Sequence, residues 1–300
     1  MFTDLTIIIV NWNLKEDTLE CIESLIKSGA SLSQIIIVDN GSTDGSIKTL
    51  NNFYQNSIFI IDAKENLGFA AGANLGIQYG LSQNYKWFLL LNNDTIVDTD
   101  FINEMYKATL NSNRYGILAP IIFYHSNPST IWYLGDRLIG NTLLTRNYYK
   151  NRKVDQLLPP LIPIDFTNGC AMMVCRTVFE QIGLLDSSLI MYGEEVDFCW
   201  RARLAGFRFA CSTPARIWHK ISKSSQRDQP RACYLRIRNQ VIFYRRYSRS
   251  IQLLILIIFT LLRTIRISIS DLLRWRLDLI LPSALGWFDG WFENRSAINR

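Results

Sequence analysis

The first hundred residues of the chain alternate between two hydrophobic patterns. Short runs of apolar, often β-branched residues occupy positions 5–10, 34–39, 57–62 and 86–91, and the stretches between them carry apolar residues at helical spacing, as in residues 19–26. Continuous apolar strands that alternate with helices are typical of a parallel sheet that is covered on both faces. The pattern therefore predicts an α/β domain.

Each of these predicted strands ends in polar side chains. They are Asn11 and Asn13 after the first strand, Asp39 and Asn40 after the second, Asp62 after the third, and Asn92, Asn93 and Asp94 after the fourth. The carboxyl ends of parallel strands share one edge of the sheet, where ligands bind in open α/β folds, so we expect a ligand site there. The sequence has no GxGxxG motif after the first strand and no GxxxxGK[ST] motif, which disfavours a dinucleotide-binding fold and a P-loop enzyme.

A second group of polar residues lies at the start of a helix that is predicted within residues 191–207. The acids Glu194, Glu195 and Asp197 fall in its first turn. Its predicted apolar face comprises Val196, Cys199, Trp200 and Leu204. His219, one of two histidines in the protein, follows a strand-like stretch. Between the two halves, the sequence predicts a helix near residues 100–112 and hairpin-like strands to about residue 150.

These polar groups also have plain structural explanations. Asn92, Asn93 and Asp94 are common turn residues, and Asp39 is placed to cap the turn before the next helix. Acids in the first turn of a helix complement its dipole by a few tenths of a kcal/mol each. His219 alone is typical of a packed or surface histidine. None of these groups, taken singly, indicates a chemical function.

The order of six segments along the chain is more specific. The sequence contains VNWN, VDNGSTDGS, NLGFAAGAN, LLNND, GEEVD and WHK in that order. This order resembles the family 2 glycosyltransferases with the GT-A fold, particularly the rhamnosyltransferase-like members that build bacterial surface polysaccharides. The resemblance covers about residues 5–245 and continues more weakly to the end. It implies a Rossmann-like, mostly parallel sheet with helices on both faces in residues 1–230, and a basic helical extension in residues 231–300.

The resemblance also implies roles for individual residues. Asp39 corresponds to the acid that holds the base or ribose of a nucleotide. The other residues implied in nucleotide-sugar binding are Val10, Asn11, Asn13, Asn66, Gly72, Asn74, Asn92 and Asn93. The family's DxD-type triplet matches residues 92–94, although the first position here is an Asn and cannot add charge at a metal.

A metal site and a general base follow from the same resemblance. Asp94 and His219 match the two protein ligands of a divalent cation, for which Mg²⁺ or Mn²⁺ is expected. Glu195 matches the general base, with Glu194 and Asp197 as the other candidates for that role. A direct attack by an acceptor hydroxyl that Glu195 deprotonates inverts the anomeric configuration.

The formal net charge of +6 is unevenly distributed. Residues 231–300 carry twelve Arg, no Lys and four acids, hence +8, which leaves −2 for residues 1–230. A nearly neutral body with a basic tail is not typical of a nucleic-acid-binding groove. The six cysteines include no CxxC pair, and the N-terminal residues lack the basic region of an export signal, so we expect reduced thiols in the cytosol.

The basic tail has the composition of a membrane-surface segment. Its apolar run at 251–262 is twelve residues long, short of the ~20 residues that span a bilayer. Beyond it, Arg263, Arg266, Ser270, Arg274 and Asp278 fall on one stripe of a predicted helix whose other positions are mostly apolar. Such a helix suits the interface of an anionic membrane, to which Arg245, Arg246 and Arg249 would add attraction. The alternative is a helical hairpin that packs on the body or on a second copy in a homodimer.

Together these features predict an inverting, metal-dependent glycosyltransferase on the cytoplasmic face of the membrane. Its donor would be UDP- or dTDP-linked, and its acceptor a glycan or a polyprenyl-linked sugar in surface polysaccharide or cell-wall synthesis. One alternative is a sugar nucleotidyltransferase, which should carry a Gly- and Lys/Arg-rich loop where this chain has NWNLKED. The other is a non-catalytic sugar-nucleotide-binding protein, which would not need both Asp94 and Glu195.

Overall fold

The computed structural model describes residues 2–55, 57–110, 115–140, 142–154, 158–221 and 228–292, and these residues contain a ten-stranded sheet and a separate two-stranded one. The strands are β1 Leu5–Asn11, β2 Ile35–Asp39, β3 Phe59–Asp62, β4 Trp87–Asn92, β5 Thr95–Val97, β6 Ile117–Tyr124, β7 Ile131–Tyr133, β8 Arg137–Leu138, β9 Thr145–Arg146, β10 Leu161–Ile164, β11 Ala171–Cys175 and β12 Phe209–His219. The helices are α1 Lys15–Lys27, α2 Ser46–Tyr54, α3 Phe69–Ser82, α4 Phe101–Thr109, α5 Arg176–Ile182, α6 Glu194–Leu204, α7 Gln229–Tyr247, α8 Ser250–Leu273 and α9 Ile280–Phe292.

The first half of the sheet is parallel, as the alternation of strands and helices predicts. The order β3-β2-β1-β4 is formed entirely by parallel pairs. The register places Asn11 beside Asp39, and Asp39 beside Asp62. The polar strand ends therefore do meet at one edge of the sheet.

The second half makes the sheet mixed rather than mostly parallel. Strand β11 lies between β4 and β6 and is antiparallel to both, while β12 is parallel to β6 and antiparallel to β10 and β5. Beyond β4 the connections are not regular crossovers between parallel strands: α4 joins β5 to β6, a hairpin joins β6 to β7, and α5 and α6 join β11 to β12, so strands of both directions occur. The long strand β12 ends at His219 and delivers that residue to the same edge as the tip of β4.

Helices cover both faces of the sheet, as predicted. Ile7 and Ile9 of β1 are buried in one apolar core with α1 and α4, whereas Ile8 is buried in the other with α3 and α6. This alternation follows from the twofold period of a strand. Residues of α7, α8 and α9 join the second core, so the C-terminal helices pack on the body.

The buried face of α6 differs from the predicted one. Leu204 is 67% exposed, while Phe198 and Ala202 are fully buried. The buried face also contains the carboxylates Glu194 and Asp197. Of the predicted apolar face, Cys199 is buried and Val196 and Trp200 pack against the core, so only Leu204 was wrongly included, and the polar core-facing residues were missed because the pattern counts apolar residues alone.

The apolar tail is longer than predicted. Helix α8 is continuous to Leu273 and so joins the apolar run at 251–262 to the first part of the amphipathic helix that was predicted beyond it. Residues Ile251–Leu273 are long and apolar enough to cross a bilayer by length and composition, and 17% of the most apolar window is buried in the protein. The helix ends before Arg274 and Asp278, so the predicted cationic stripe does not continue through them. Arg245 and Arg246 face the body, where they bond to the Trp291 carbonyl and to two aspartates.

Most of the exposed large apolar side chains of the described residues lie between residues 251 and 292. On α8 and the turn after it they are Ile251, Leu254, Ile255, Ile258, Phe259, Leu261, Leu262, Ile265, Ile269, Leu272, Leu273, Trp275 and Leu277, and on α9 they are Leu281, Leu285, Phe288 and Phe292. The opposite side of α8 is held to the protein, because Trp287 and Trp291 of α9 donate hydrogen bonds to the buried Thr260 hydroxyl. The two helices thus present one broad apolar face to the surroundings.

Candidate active site

A cavity of about 540 Å³ opens at the carboxyl edge of the sheet. This volume lies in the range of small-molecule binding sites. Its walls come from the tips of β1, β4 and β12, from the segment that precedes α6, and from the first turns of α7. The predicted site residues that line it are Val10, Asn66, Asn92, Asn93, Asp94, Glu194, Glu195 and His219.

The pairing of β5 with β12 brings Asp94 to His219. Asp94 precedes β5, and the register places Thr95 opposite His219. The backbone N–H of Lys220 donates to the carbonyl oxygen of Asp94 at 2.9 Å, which extends this ladder. As a result His219 Nε2 lies 3.0 Å from Asp94 Oδ1, although 125 positions separate the two residues in the sequence.

The surroundings of His219 fit a cation ligand. The side chain is buried, an edge-to-face contact with Trp132 holds its ring, and neither ring nitrogen has a hydrogen-bond partner among the described residues. The 3.0 Å approach to Asp94 is close but too poorly aligned for a hydrogen bond. An ion that bonds two ligand atoms at ~2.1 Å and at right angles holds those atoms ~3 Å apart. His219 Nε2 and Asp94 Oδ1 have this separation. No third His, Cys, Asp or Glu of the described residues joins the pair, so other ligands would have to come from substrate or water.

Two carboxylates enter the cavity at the start of α6. Gly193 caps the helix with a positive φ of 96°, and the preceding Ile190 and Tyr192 also have positive φ values, of 64° and 68°. This turn directs both Glu194 and Glu195 into the cavity. The Glu195 Oε2 atom accepts a hydrogen bond from the Gly193 N–H at 3.0 Å, whereas Glu194 Oε2 is buried without a partner.

The environment distinguishes these two carboxyls. Burial raises the pKa of Glu194 well above its ordinary value, and the adjacent Glu195 raises it further. Burial also raises the pKa of Glu195, but backbone N–H groups, including that of Gly193, oppose the shift. Two neighbouring carboxyls do not ionise together easily. Burial and the neighbouring carboxylate thus favour the protonated form of Glu194, whereas the backbone N–H groups favour the ionised form of Glu195.

A buried hydrogen-bond network joins the strand tips behind the cavity. Asn11 donates from Nδ2 to Asp39 Oδ2 at 2.7 Å, and Asn93 donates from Nδ2 to Asn11 Oδ1 at 3.1 Å and to Thr18 Oγ1 at 3.0 Å. The other oxygen of Asp39 accepts from the Ser42 N–H at 2.8 Å. Asp39 is fully buried and orders the loop after β2, so the neighbouring Asn40 rather than Asp39 lines the cavity.

Several predicted site residues do not reach the cavity. The Asn74 side chain donates a hydrogen bond to the carbonyl oxygen of Leu185 and accepts one from its N–H. A Cβ on Gly72 would lie 3.2 Å from a side-chain carbon of Val10. Both residues therefore pack α3 against its neighbours. Asn13 accepts from the Thr43 N–H at 2.6 Å and holds the same loop as Asp39. Asp197 does not line the cavity either, although it shares the buried face of α6 with Glu194. It accepts hydrogen bonds from Arg201, Arg246 and Tyr247.

The cavity also contains residues to which the sequence analysis assigned no individual role. They are Trp12, Asn40, Trp132, Lys150, Asn168, Gly169, Tyr192, Arg231 and Arg236, among others. Trp12 and Asn40 lie at the predicted strand ends, where a ligand site was expected. Trp132, Lys150 and the two arginines come from segments far from those motifs, and no local sequence signal marks them.

The family model of glycosyl transferase family 2 matches residues 6–183. This match covers more than half of the chain, and the chain therefore belongs to that family and is a glycosyltransferase. Its mixed sheet with helices on both faces is a GT-A-type fold, as predicted.

Two characterised proteins and one solved structure show how far the similarity extends. The chain is 28% identical to the low-salt glycan biosynthesis hexosyltransferase Agl10 of Haloferax volcanii, over 99% of this chain and 93% of that protein. It is 26% identical to the N-acetylglucosaminyl-diphospho-decaprenol L-rhamnosyltransferase of Mycobacterium tuberculosis, over 65% of this chain and 68% of that protein. The mannosyltransferase PcManGT of Pyrobaculum calidifontis, solved with GDP-Man and Mn²⁺, has the same fold, with a TM-score of 0.58, 10% identity, and coverage of 97% of this chain and 88% of that one.

Proposed function

We propose that this glycosyltransferase moves a sugar from a nucleotide-sugar donor to a lipid-linked acceptor, with inversion and with the help of a divalent cation. One observation supports this most strongly: the Asp94–His219 pair and the Glu194–Glu195 pair line the same cavity. The first pair has the chemistry of a cation site and the second that of a general base. A non-catalytic binding protein has no use for the second pair.

Asp94 and His219 would hold Mg²⁺ or Mn²⁺. Their oxygen and nitrogen donors suit either ion, and when bound the ion neutralises the charge that builds on a departing nucleoside diphosphate. The structure of PcManGT with GDP-Man and Mn²⁺ supports a divalent cation in this fold. Trp132 keeps the His219 ring in position for this role.

Glu195 would act as the base. Its carboxylate takes the proton of an acceptor hydroxyl while that oxygen bonds to the anomeric carbon, and the bond from the anomeric carbon to the diphosphate oxygen breaks on the opposite face. The N–H of Gly193 holds the carboxylate during this step. Protonated Glu194 would support its neighbour without competing for the proton.

The nucleoside would lie against the tips of β1 and β2. Val10, Trp12, Asn40 and Asn66 line that end of the cavity, and Asn40 Nδ2 donates to Asn66 Oδ1 at 3.1 Å. An aromatic ring and several amides are suited to a base and a ribose. Asp39 would act from behind, by ordering the loop that carries Asn40.

The acceptor would be presented at a membrane surface. The apolar face of α8 and α9 is larger than a soluble monomer normally exposes, and it is accompanied by Arg263 and Arg266. Because the second half of α8 runs beside α9 and Thr260 is bonded to it, we propose that both helices lie in the interface instead of spanning the bilayer. The relative from M. tuberculosis, whose name specifies a diphospho-decaprenol substrate, supports a polyprenyl-linked acceptor. The six free cysteines agree with a position on the cytoplasmic face.

Calorimetry with UDP, dTDP and GDP, each with and without Mn²⁺, tests the donor assignment. We expect one nucleotide to bind in a cation-dependent manner, and its sugar conjugates to be consumed when membranes with a polyprenyl-linked sugar are added. Release of pyrophosphate from a nucleoside triphosphate and a sugar phosphate would instead indicate a nucleotidyltransferase. A dimer that hides the apolar face in the absence of detergent would favour the homodimer alternative.

A further inference from the structure

Three cationic side chains at the mouth of the cavity have no role in the chemistry described above. They are Lys150, from the segment after β9, and Arg231 and Arg236, from the first turns of α7. All three are exposed, and none forms an ion pair with a carboxylate of the described residues. Charged groups that line such a cavity without an acidic partner among the described residues are suited to a charged ligand.

Arg231 and Arg236 lie on either side of a buried pair of residues on α7. Arg231, Ala232, Leu235 and Arg236 all line the cavity, and the five-residue separation places the two arginines about 140° apart around the helix. Ala232 and Leu235 are buried beneath, while the two guanidinium groups flank them. Arg246, on the last turn of the same helix, is in contrast neutralised by Asp186 and Asp197. The two arginines at the cavity therefore differ from Arg246 in their position and in having no ion pair with an acid in the part of the chain that the structure describes.

Arg236 lies beside the turn that carries the proposed base. Its guanidinium carbon stands 4.7 Å from the ring centre of Tyr192, which is three residues before Glu195. Lys150 lines the same cavity. With the donor's diphosphate held at Asp94 and His219, these cations would be available to an acceptor that reaches Glu195.

The same helix connects the cavity to the apolar face. Gly286 of α9 packs so closely on α7 that a Cβ there would come within 2.6 Å of the Tyr234 carbonyl oxygen, two residues before Arg236. Packed helices lie ~8–10 Å apart, so the exposed apolar residues of α9 are about one helix diameter from the cavity mouth. Cations at the mouth and an apolar surface just beyond are arranged for a ligand with a phosphate group between a sugar and a hydrocarbon chain.

We propose that Arg231, Arg236 and Lys150 bind the phosphate or diphosphate of a lipid-linked acceptor. This inference rests on the proposed function. The guanidinium groups would make charge-assisted hydrogen bonds to the phosphate oxygens. The sugar would then extend toward Glu195, and the hydrocarbon would leave along α9 into the membrane.

Farnesyl diphosphate in detergent micelles is a suitable probe, with farnesol as its neutral counterpart. Binding is measured with Mn²⁺ and a saturating nucleoside diphosphate present, so that the donor's phosphate site is already filled. Wild-type protein should bind farnesyl diphosphate more tightly than farnesol. The Arg231→Gln/Arg236→Gln variant should bind the diphosphate about tenfold or more weakly and should bind farnesol unchanged.

Arg208→Gln is the matched control. This arginine is exposed and precedes β12, so it lies ~30 Å from His219 at the other end of that strand. Unchanged affinity of the double variant for farnesyl diphosphate would overturn the proposal. So would a double variant that loses affinity for the nucleoside diphosphate instead, because the cations would then serve the donor. Failure of the proposed function is distinguishable, since wild-type protein would then show no cation-dependent binding of any nucleoside diphosphate.

Discussion

The side-chain nitrogen of Asn239 lies 2.7 Å from the carbonyl oxygen of Tyr192. The same nitrogen approaches the carbonyl oxygens of Leu189 at 2.7 Å and Met191 at 3.0 Å, while Arg238 donates to the amide oxygen at 3.0 Å. Asn239 belongs to the C-terminal extension, and the carbonyls belong to the strained turn that directs Glu194 and Glu195 into the cavity. The extension therefore shapes the catalytic turn.

This relationship makes Asn239 a positioning residue. Asn239→Ala would leave buried carbonyl oxygens without a donor, at a cost of about 1–3 kcal/mol. We expect kcat to fall while the cation-dependent affinity for the nucleoside diphosphate is nearly unchanged. Asn103→Ala, on the exposed side of α4, is the control and should alter neither quantity. A variant in which thermal stability falls but kcat per folded molecule does not would show that Asn239 is only structural.

The cation site depends on Asp94. Asp94→Ala should abolish transfer and the cation-dependent part of nucleoside-diphosphate binding, because His219 alone cannot anchor the ion. Calorimetry with and without Mn²⁺ measures this directly. Asp62→Ala removes an acid from another strand tip, where its side chain pairs with Lys64 outside the cavity, and should have no effect. Equal cation-dependent affinity in the two variants would refute the assignment.

The base is tested by Glu195→Gln, which keeps the shape of the side chain and removes its basicity. Turnover should fall by a factor of ~10²–10⁴ with donor affinity retained, and Glu194→Gln should reduce turnover less. In the wild-type enzyme, turnover should be lost as pH falls, because the base is active only when ionised and its pKa is raised. If Glu195→Gln had normal turnover and Glu194→Gln were inactive, Glu194 and not Glu195 would be the base.

The raised pKa of Glu194 predicts that the stability of the folded protein depends on pH. A carboxyl whose pKa is higher in the folded than in the unfolded state stabilises the fold at low pH, and this contribution is lost as pH rises through the folded-state pKa. Glu194→Gln should therefore raise the melting temperature relative to wild type more at pH 8 than at pH 5, by about 2–4 °C for each kcal/mol. A melting-temperature difference that does not change with pH would contradict the raised pKa.

The proposed contact between the apolar face of α8 and α9 and a membrane is tested by changing exposed apolar residues of that face. Replacing Ile258, Leu262 and Leu285 with Glu should release the protein from anionic liposomes, because these exposed side chains would be the ones buried in the interface. Replacing Arg266 and Arg274 with Glu should weaken the same binding, and this loss should diminish as salt is raised. Wild-type protein that does not sediment with such liposomes at low salt would indicate that α8 and α9 bind protein instead.

The order of the sequence motifs was sufficient to predict the family, the fold class and the enzymatic class. The four parallel strands and the meeting of their tips followed from hydrophobic periodicity, because a buried strand needs a continuous apolar run. Asp94, Glu194 and Glu195 lie at the ends of predicted elements, but their roles were implied only by the resemblance that the six ordered motifs carry. These signals are local, so an error in the prediction of the rest of the fold does not affect them.

Other features depended on the tertiary structure. The contact between His219 and Asp94 exists only because β5 pairs with β12. Asp197 follows Glu195 by two residues, yet the helical rotation turns it away from the cavity and toward Arg246. Arg231 and Arg236 looked like part of a basic tail until the packing of α7 placed them at the cavity mouth. The spacing of residues along the sequence shows which of them share a helix or a strand. The packing of the whole chain decides which sides of distant helices and strands meet.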